Sequence, residues 1–251
     1  LATLVWLVAA LFPAMAADHW GEMLPEQPSQ FIFGYGSLIN TVSRNATASR
    51  PVHAIPVRVS AGFGYVRAWV AQSRSGFTAL GMRHPAAGEV PSTINGVIYP
   101  VGEADLPNFD KRENAYMRIS IPLDKVEPVS WQRLPVNAQI WVYVPIEAEG
   151  RQGTHHEAPS PRFPLLQSYI DLVVDGALEY GESFARELIE TTVDWNQFWL
   201  NDRELARRPW VYDKNHSQVD ELLAKTEPAA SQFKYRSFPE EFGKYFARAG
   251  Q

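Results

Sequence analysis

The chain has 251 residues, 45% of them hydrophobic and 20% charged, a mixture that excludes a disordered or fibrous protein and suffices for a substantial buried core. A formal charge of -5, with Lys and Arg scattered along the chain, excludes a basic stripe for nucleic acid, so an anionic small molecule would need locally placed donors. The absence of cysteine excludes disulfides, Cys-ligated zinc, iron–sulfur clusters and thiol catalysis together.

The apolar run Leu1 to Phe12, followed by Pro13 and Ala14-Met15-Ala16, has the pattern of a secretory signal peptide over residues 1–16. It is shorter than the roughly 20 apolar residues that a membrane span needs. The expectation is export, to a periplasmic, lumenal or secreted location. A helix packed on the domain of a cytoplasmic protein is the alternative. Residues 17–30 hold Pro25 and Pro28 among polar residues and read as an extended lead-in.

From Phe31 to about residue 145, short runs rich in Val, Ile, Phe and Tyr alternate with Gly, Pro and Asn, the pattern of a strand-rich sheet or barrel. Strands are expected at Phe31–Tyr35, Val57–Ser60, Gly64–Trp69, Phe77–Met82, Asn95–Val101, Arg118–Pro122 and Gln139–Val144. In the last of these, Ile140, Val142 and Val144 oppose Trp141 and Tyr143, so both faces are apolar and a buried strand is predicted. Asn95-Gly96 reads as a turn at the mouth of a strand. Residues 146–164, with three prolines and two glycines, form a loop or lid. Helical spacing then appears in Leu165, Leu166, Tyr169, Leu172 and Val173, and again in Phe184, Leu188 and Ile189 after a break at Gly181. Residues 31–192 make one domain on this reading. Residues 193–251 are an aromatic-rich extension packed on it.

Two segments carry chemistry. In Phe31-Ile32-Phe33-Gly34-Tyr35-Gly36-Ser37-Leu38 a buried-looking strand runs into two glycines and a serine. Such a turn can present successive backbone N–H groups to an anionic oxygen, but it can equally be a strand-ending turn whose glycines are steric necessities. It is not a dinucleotide fingerprint, because Ile39 stands where the third glycine belongs, and the serine is not flanked as in a nucleophile elbow.

The second segment runs from Leu106 to Tyr116, a short helix entering a strand. Leu106, Phe109, Glu113 and Tyr116 fall on one helical stripe while Lys111 and Arg112 fall off it, which turns Glu113 towards the apolar side. Burial there raises a carboxyl pKa towards the range useful for proton transfer. The competing reading makes Asp110 a helix cap with Glu113 as its capping-box partner.

Together these segments resemble the gamma-glutamyl cyclotransferase-like superfamily, in particular its ChaC-like branch, through Phe33-Gly34-Tyr35-Gly36-Ser37-Leu38 and the later Asp110-Lys111-Arg112-Glu113-Asn114-Ala115-Tyr116. The resemblance spans residues 31–144, and more loosely 168–192. It implies an α+β fold: a small mixed β-barrel or sheet with flanking helices, to which this chain adds a helical C-terminal extension. It implies a lyase or acyltransferase activity that cyclises a gamma-glutamyl amide to 5-oxoproline with no cofactor. Tyr35, Gly36, Ser37 and Leu38 would hold the gamma-glutamyl group and Glu113 would be the general acid/base, with Tyr116 and Tyr143 lining the pocket. Asn114-Ala115 replace the glycines that often follow this glutamate, which bears on the substrate rather than on the carboxylate. A non-catalytic module that binds the same amide is the alternative, and a serine hydrolase built on Ser37 lacks a histidine in the motif.

No metal site is expected. His155-His156-Glu157 lies in a Pro/Gly-rich loop without further ligands and reads as solvated. Asn45-Ala46-Thr47 and Asn215-His216-Ser217 match a glycosylation pattern that matters only on a eukaryotic secretory route. Trp195, Trp199 and Trp210 read as packing residues, and Arg203, Arg207 and Arg208 as surface charges or lid contacts.

Overall fold

Each of the seven runs read as a strand forms one in the computed structural model, which describes residues 28–134, 137–146, 157–205 and 215–247. The strands are β1 (Gln30–Gly34), β2 (Ile55–Val59), β3 (Val66–Ser73), β4 (Phe77–Arg83), β5 (Ile94–Pro100), β6 (Tyr116–Ile121) and, after the short β7 (Val126–Pro128), β8 (Gln139–Pro145). A six-stranded sheet has the order β6-β8-β1-β5-β2-β7, with β1 parallel to β8 and antiparallel to β5. Phe31, Ile32 and Phe33 are all buried because this central strand is covered on both faces, which explains its unbroken apolar run.

β6 and β7 lie on opposite edges of this sheet although only residues 122–125 separate them. Six flat strands would place their edges about 24 Å apart, at about 4.8 Å per strand. The five steps from Ile121 to Val126 reach at most about 18 Å. The sheet must therefore curl until its edges approach. It does not close: among the described residues β6 and β7 do not pair with each other. The barrel-or-sheet expectation resolves to a curled open sheet within an α+β fold.

Asn95-Gly96 is no turn. Both residues lie inside β5, opposite Arg58 and Val57 of β2. A Cβ on Gly96 would stand 2.5 Å from the carbonyl oxygen of Gly34, so this glycine serves the close approach of β1 and β5. The Asn95 amide, fully buried, donates to the carbonyl of Phe184 at 2.8 Å.

A second sheet joins β3 and β4 to β10 (Thr192–Val193). Leu165-Leu166, read as the start of a helix, is instead the strand β9, paired with β11 (Trp199–Leu200). The Leu165 N–H is taken by the carbonyl of Phe198 at 2.9 Å, a long-range partner that helical spacing could not reveal. The helix proper, here labelled α3, starts at Gln167 and runs to Leu178, and α4 (Glu182–Glu190) follows Gly181, whose φ of 105° explains the break.

The C-terminal residues dock through α5 (His216–Lys225), α6 (Ala229–Phe233), α7 (Pro239–Phe242) and α8 (Lys244–Ala247). Trp195 and Trp199 pack in the core as expected, ring centroids 5.3 Å apart. Trp210, Arg207, Arg208 and His155-His156 lie outside the described residues, as do residues 1–27. Among the described residues no helix is long and apolar enough to cross a membrane.

Arg203 is neither a surface charge nor a lid contact. Its guanidinium binds both oxygens of Asp171, at 2.8 and 2.7 Å, and both of Asp220, which also binds Arg236. The Asp171 side chain has 0% exposure, so its charge depends on this partner. Removing one member of a buried pair leaves an uncompensated charge at a cost of about 3–5 kcal/mol. Arg203→Met is expected to lower stability by about 3 kcal/mol or more, read as a fall in the denaturant midpoint. A loss below about 1 kcal/mol, the worth of an exposed pair, would contradict this account.

Candidate active site

The helix α2 (Leu106–Arg112) begins with proline in its first turn, where the missing N–H costs nothing, and buries Phe109 against Tyr99. It ends because Glu113 leaves helical backbone, at φ -93° and ψ 35°, while its N–H still reaches the carbonyl of Phe109 at 2.8 Å. Glu113 therefore stands at the junction of α2 and β6. The stripe argument gave the right direction from a helix that stops one residue short of it. The capping-box alternative does not form, because the Asp110 carboxylate accepts from the Tyr143 hydroxyl at 2.7 Å and pairs with Arg118 at 3.3 Å.

The Glu113 side chain is only 16% exposed. Burial raises its pKa above the ordinary glutamate value, against the lowering effect of the adjacent Arg112. Nε of Arg112 lies 3.1 Å from the Glu113 carboxylate. Arg112 also donates from Nη1 to the carbonyl of Ser43 (2.6 Å) and to Oγ1 of Thr47 (2.7 Å), and from Nη2 to the hydroxyls of Ser43 (2.9 Å) and Ser37 (3.3 Å). One side chain thus ties the carboxylate to the turn after β1 and to α1 (Thr41–Asn45).

That turn passes through a 3-10 segment, Ser37–Ile39, backed by buried arginines. Arg44 Nη1 donates to the carbonyl of Ile39 at 2.6 Å, and the Ile39 N–H takes the carbonyl of Gly36 at 2.9 Å. Arg67, with no exposure, approaches the carbonyl of Tyr35 at 3.5 Å and donates to that of Asn95 at 2.7 Å. Burial lowers its pKa to about 9. Gly34 needs its missing side chain for space, since a Cβ there would meet that of Leu38 at 2.9 Å.

Tyr35, Gly36, Ser37, Leu38, Glu113, Tyr116 and Tyr143, all singled out from sequence, line one cleft of about 350 Å³, part of it open to solvent. Among the described residues no histidine lines it beside Ser37. Tyr35 donates to the carbonyl of Tyr143 at 2.7 Å, and Tyr116 to that of Leu80 at 3.2 Å. Burial pushes the pKa of Tyr35 and Tyr116 upward, so both stay protonated at neutral pH. Among the described residues no cluster suited to a metal ion occurs.

The chain is similar in fold to solved gamma-glutamyl cyclotransferases. One, titled gamma-glutamyl cyclotransferase, is 12% identical, with 63% of this chain and 85% of that chain covered at a TM-score of 0.44. A second, from yeast and described as specific to glutathione, is 13% identical, with 84% and 98% covered at 0.40. A third, an uncharacterized human protein, is 14% identical, with 63% and 85% covered at 0.43. No protein-family model and no curated protein matches the sequence. At identities and TM-scores this low the likeness decides neither substrate nor residue roles, which rest on the cleft itself.

Two residues of the site, Arg112 behind the cleft and Tyr169 in its wall, escaped the sequence reading. Arg112 lies off the helical stripe, although its place beside Glu113 in the second motif is visible in the sequence. Tyr169, from α3, also lines the cleft, and its pKa is pushed up to about 12 by burial and the nearby Glu113 charge. Nothing in the sequence distinguished it from an ordinary core aromatic at helical spacing. Its place depends on the C-terminal residues: Asp202 accepts from the Ser168 N–H at 2.8 Å and from its hydroxyl at 2.6 Å, which fixes the first turn of α3.

Because the native Glu113 carboxyl holds its proton to higher pH than the unfolded one, its contribution to stability is full below the unfolded pKa. That contribution is lost as pH rises through the folded pKa. Arg112→Met removes the charge that lowers this pKa and is expected to move the Glu113 titration to higher pH than in the native protein. Carboxyl carbon chemical shifts followed against pH report the change, and Arg112→Lys should restore part of it. A downward or absent shift in Arg112→Met would contradict the assigned electrostatics.

Proposed function

We propose that the protein is a gamma-glutamyl cyclotransferase that turns a gamma-glutamyl amide into 5-oxoproline and a free amine, with Glu113 as general acid/base. The observation that carries this reading is a mostly buried carboxylate with a raised pKa in the same cleft as the Tyr35–Leu38 turn. A carboxyl whose pKa is raised by burial is better suited to accept and return a proton than an exposed glutamate.

In this mechanism the turn holds the gamma-glutamyl group. The carbonyls of Gly36 and Leu38 are taken up within the protein, by the Ile39 N–H at 2.9 Å and by Arg44 at 3.4 Å, and in this reading backbone N–H groups of the turn meet the substrate. Glu113 takes a proton from the alpha-ammonium, and the freed nitrogen attacks the gamma-carbonyl carbon. The new ring C–N bond forms, the old amide C–N bond breaks, and Glu113 returns its proton to the leaving nitrogen. Over the reaction the alpha-nitrogen loses two protons and the leaving amine gains two, with no net charge change. Tyr169, kept neutral at pH 7, supplies a hydroxyl beside the carbonyl, near Gly36. Holding the amine and carbonyl in ring-closing geometry supplies the larger part of the rate, since intramolecular reactions reach effective molarities of about 10⁵–10⁸ M. No cofactor is needed for any step.

Glu113→Gln keeps the side-chain shape and an acceptor for Arg112 but cannot carry a proton. It is expected to lose 5-oxoproline formation by at least ~10²-fold, in line with general acid/base contributions, while the circular dichroism spectrum stays that of the native protein. Retained turnover would overturn the role of Glu113. Binding of gamma-glutamyl compounds by the native protein without any 5-oxoproline would instead support a non-catalytic binding module.

A further inference from the structure

A second cleft abuts the first. It encloses about 710 Å³ of atom-free space, partly open to solvent, and Ser37 and Tyr169 belong to the walls of both. Its remaining wall comes from α1 and the residues just after it, α2 and α3: Val42 and Ala46 at an exposed rim, Leu172 at a buried base, and Arg112 beside Glu113. In the proposed reaction the leaving nitrogen must come within reach of Glu113, so the group it carries extends from there along a neighbouring wall. The second cleft adjoins that point through Arg112, Ser37 and Tyr169.

Chemistry narrows what this wall accepts. Among the described residues the only charged one lining the cleft is Arg112. A guanidinium has five N–H donors, and four hydrogen bonds of Arg112, to the Ser43 carbonyl, Thr47, the Ser43 hydroxyl and Ser37, occupy both Nη groups, while its Nε is paired with Glu113. A carboxylate on the leaving group would find both Nη groups of this cation committed and would compete with Glu113 for its charge. Val42, Ala46 and Leu172 favour hydrocarbon instead.

We propose that this second cleft is the leaving-group subsite and that it selects gamma-glutamyl amides of apolar amines without a carboxylate, over gamma-glutamyl amino acids and glutathione. The inference rests on the cyclotransferase reading and specifies its substrate class.

The test is a matched pair: gamma-glutamyl isoamylamide and gamma-glutamyl-leucine share the same hydrocarbon and differ by one carboxylate, with glutathione as a third substrate. The native protein is expected to show kcat/KM at least tenfold higher for the isoamylamide than for either of the others. Ala46→Lys places a free cation on the exposed rim and should shrink the isoamylamide-to-leucine ratio several-fold. Equal turnover of the pair, or a preference for gamma-glutamyl-leucine or glutathione, would overturn the subsite and leave the cyclotransferase reading standing. A ratio unmoved by Ala46→Lys would also count against the subsite. Absence of 5-oxoproline from all three would overturn the reading on which it rests.

Discussion

The candidate site depends on the guanidinium of Arg112. Its five contacts draw Glu113, the Ser37 turn and α1 into one unit, although these come from separate parts of the chain. The charge has two opposed consequences for Glu113. It holds the carboxylate in place, and it moderates the rise in pKa that burial causes. A carboxyl with burial alone would be harder to ionise, and one fully solvated beside an arginine would be a poor proton carrier.

Around that unit the fold supplies rigidity from behind. Arg44 and Arg67 are buried beneath the turn and bond mainly to carbonyl and hydroxyl oxygens, Arg44 to those of Ile39 and Thr41 and Arg67 to those of Asn95 and Thr192. Charged side chains are seldom buried to this degree unless their donors are satisfied. Here Arg44 satisfies backbone acceptors of an irregular segment, the carbonyls of Leu38, Ile39 and Val52, which a regular strand or helix would have paired itself. The curled sheet adds the second condition, because its bending lets β6 carry Tyr116, next to Glu113, towards the end of β1 without a closed barrel.

The segment after residue 192 contributes to the same site from a distance. Asp202 fixes the start of α3, and the Arg203, Asp171, Asp220 and Arg236 network locks that helix to α5. Tyr169 enters the cleft from the first turn of α3. A change in the C-terminal residues can therefore reach the cleft through packing, with no contact to a bound molecule.

The sequence by itself determined seven of the strands, the two principal helices and seven residues of the cleft. Those features are local: period-two alternation, helical spacing, and the short motifs around Tyr35 and Glu113 depend on neighbours a few residues away. It misassigned Asn95-Gly96 and Leu165-Leu166, whose state is set by Gly34 and Phe198, partners far along the chain. Only the tertiary structure decided that Arg112 faces inward, that Tyr169 joins the cleft and that the sheet curls without closing. Each of these is settled by which distant groups meet, and a one-dimensional pattern carries no record of that meeting.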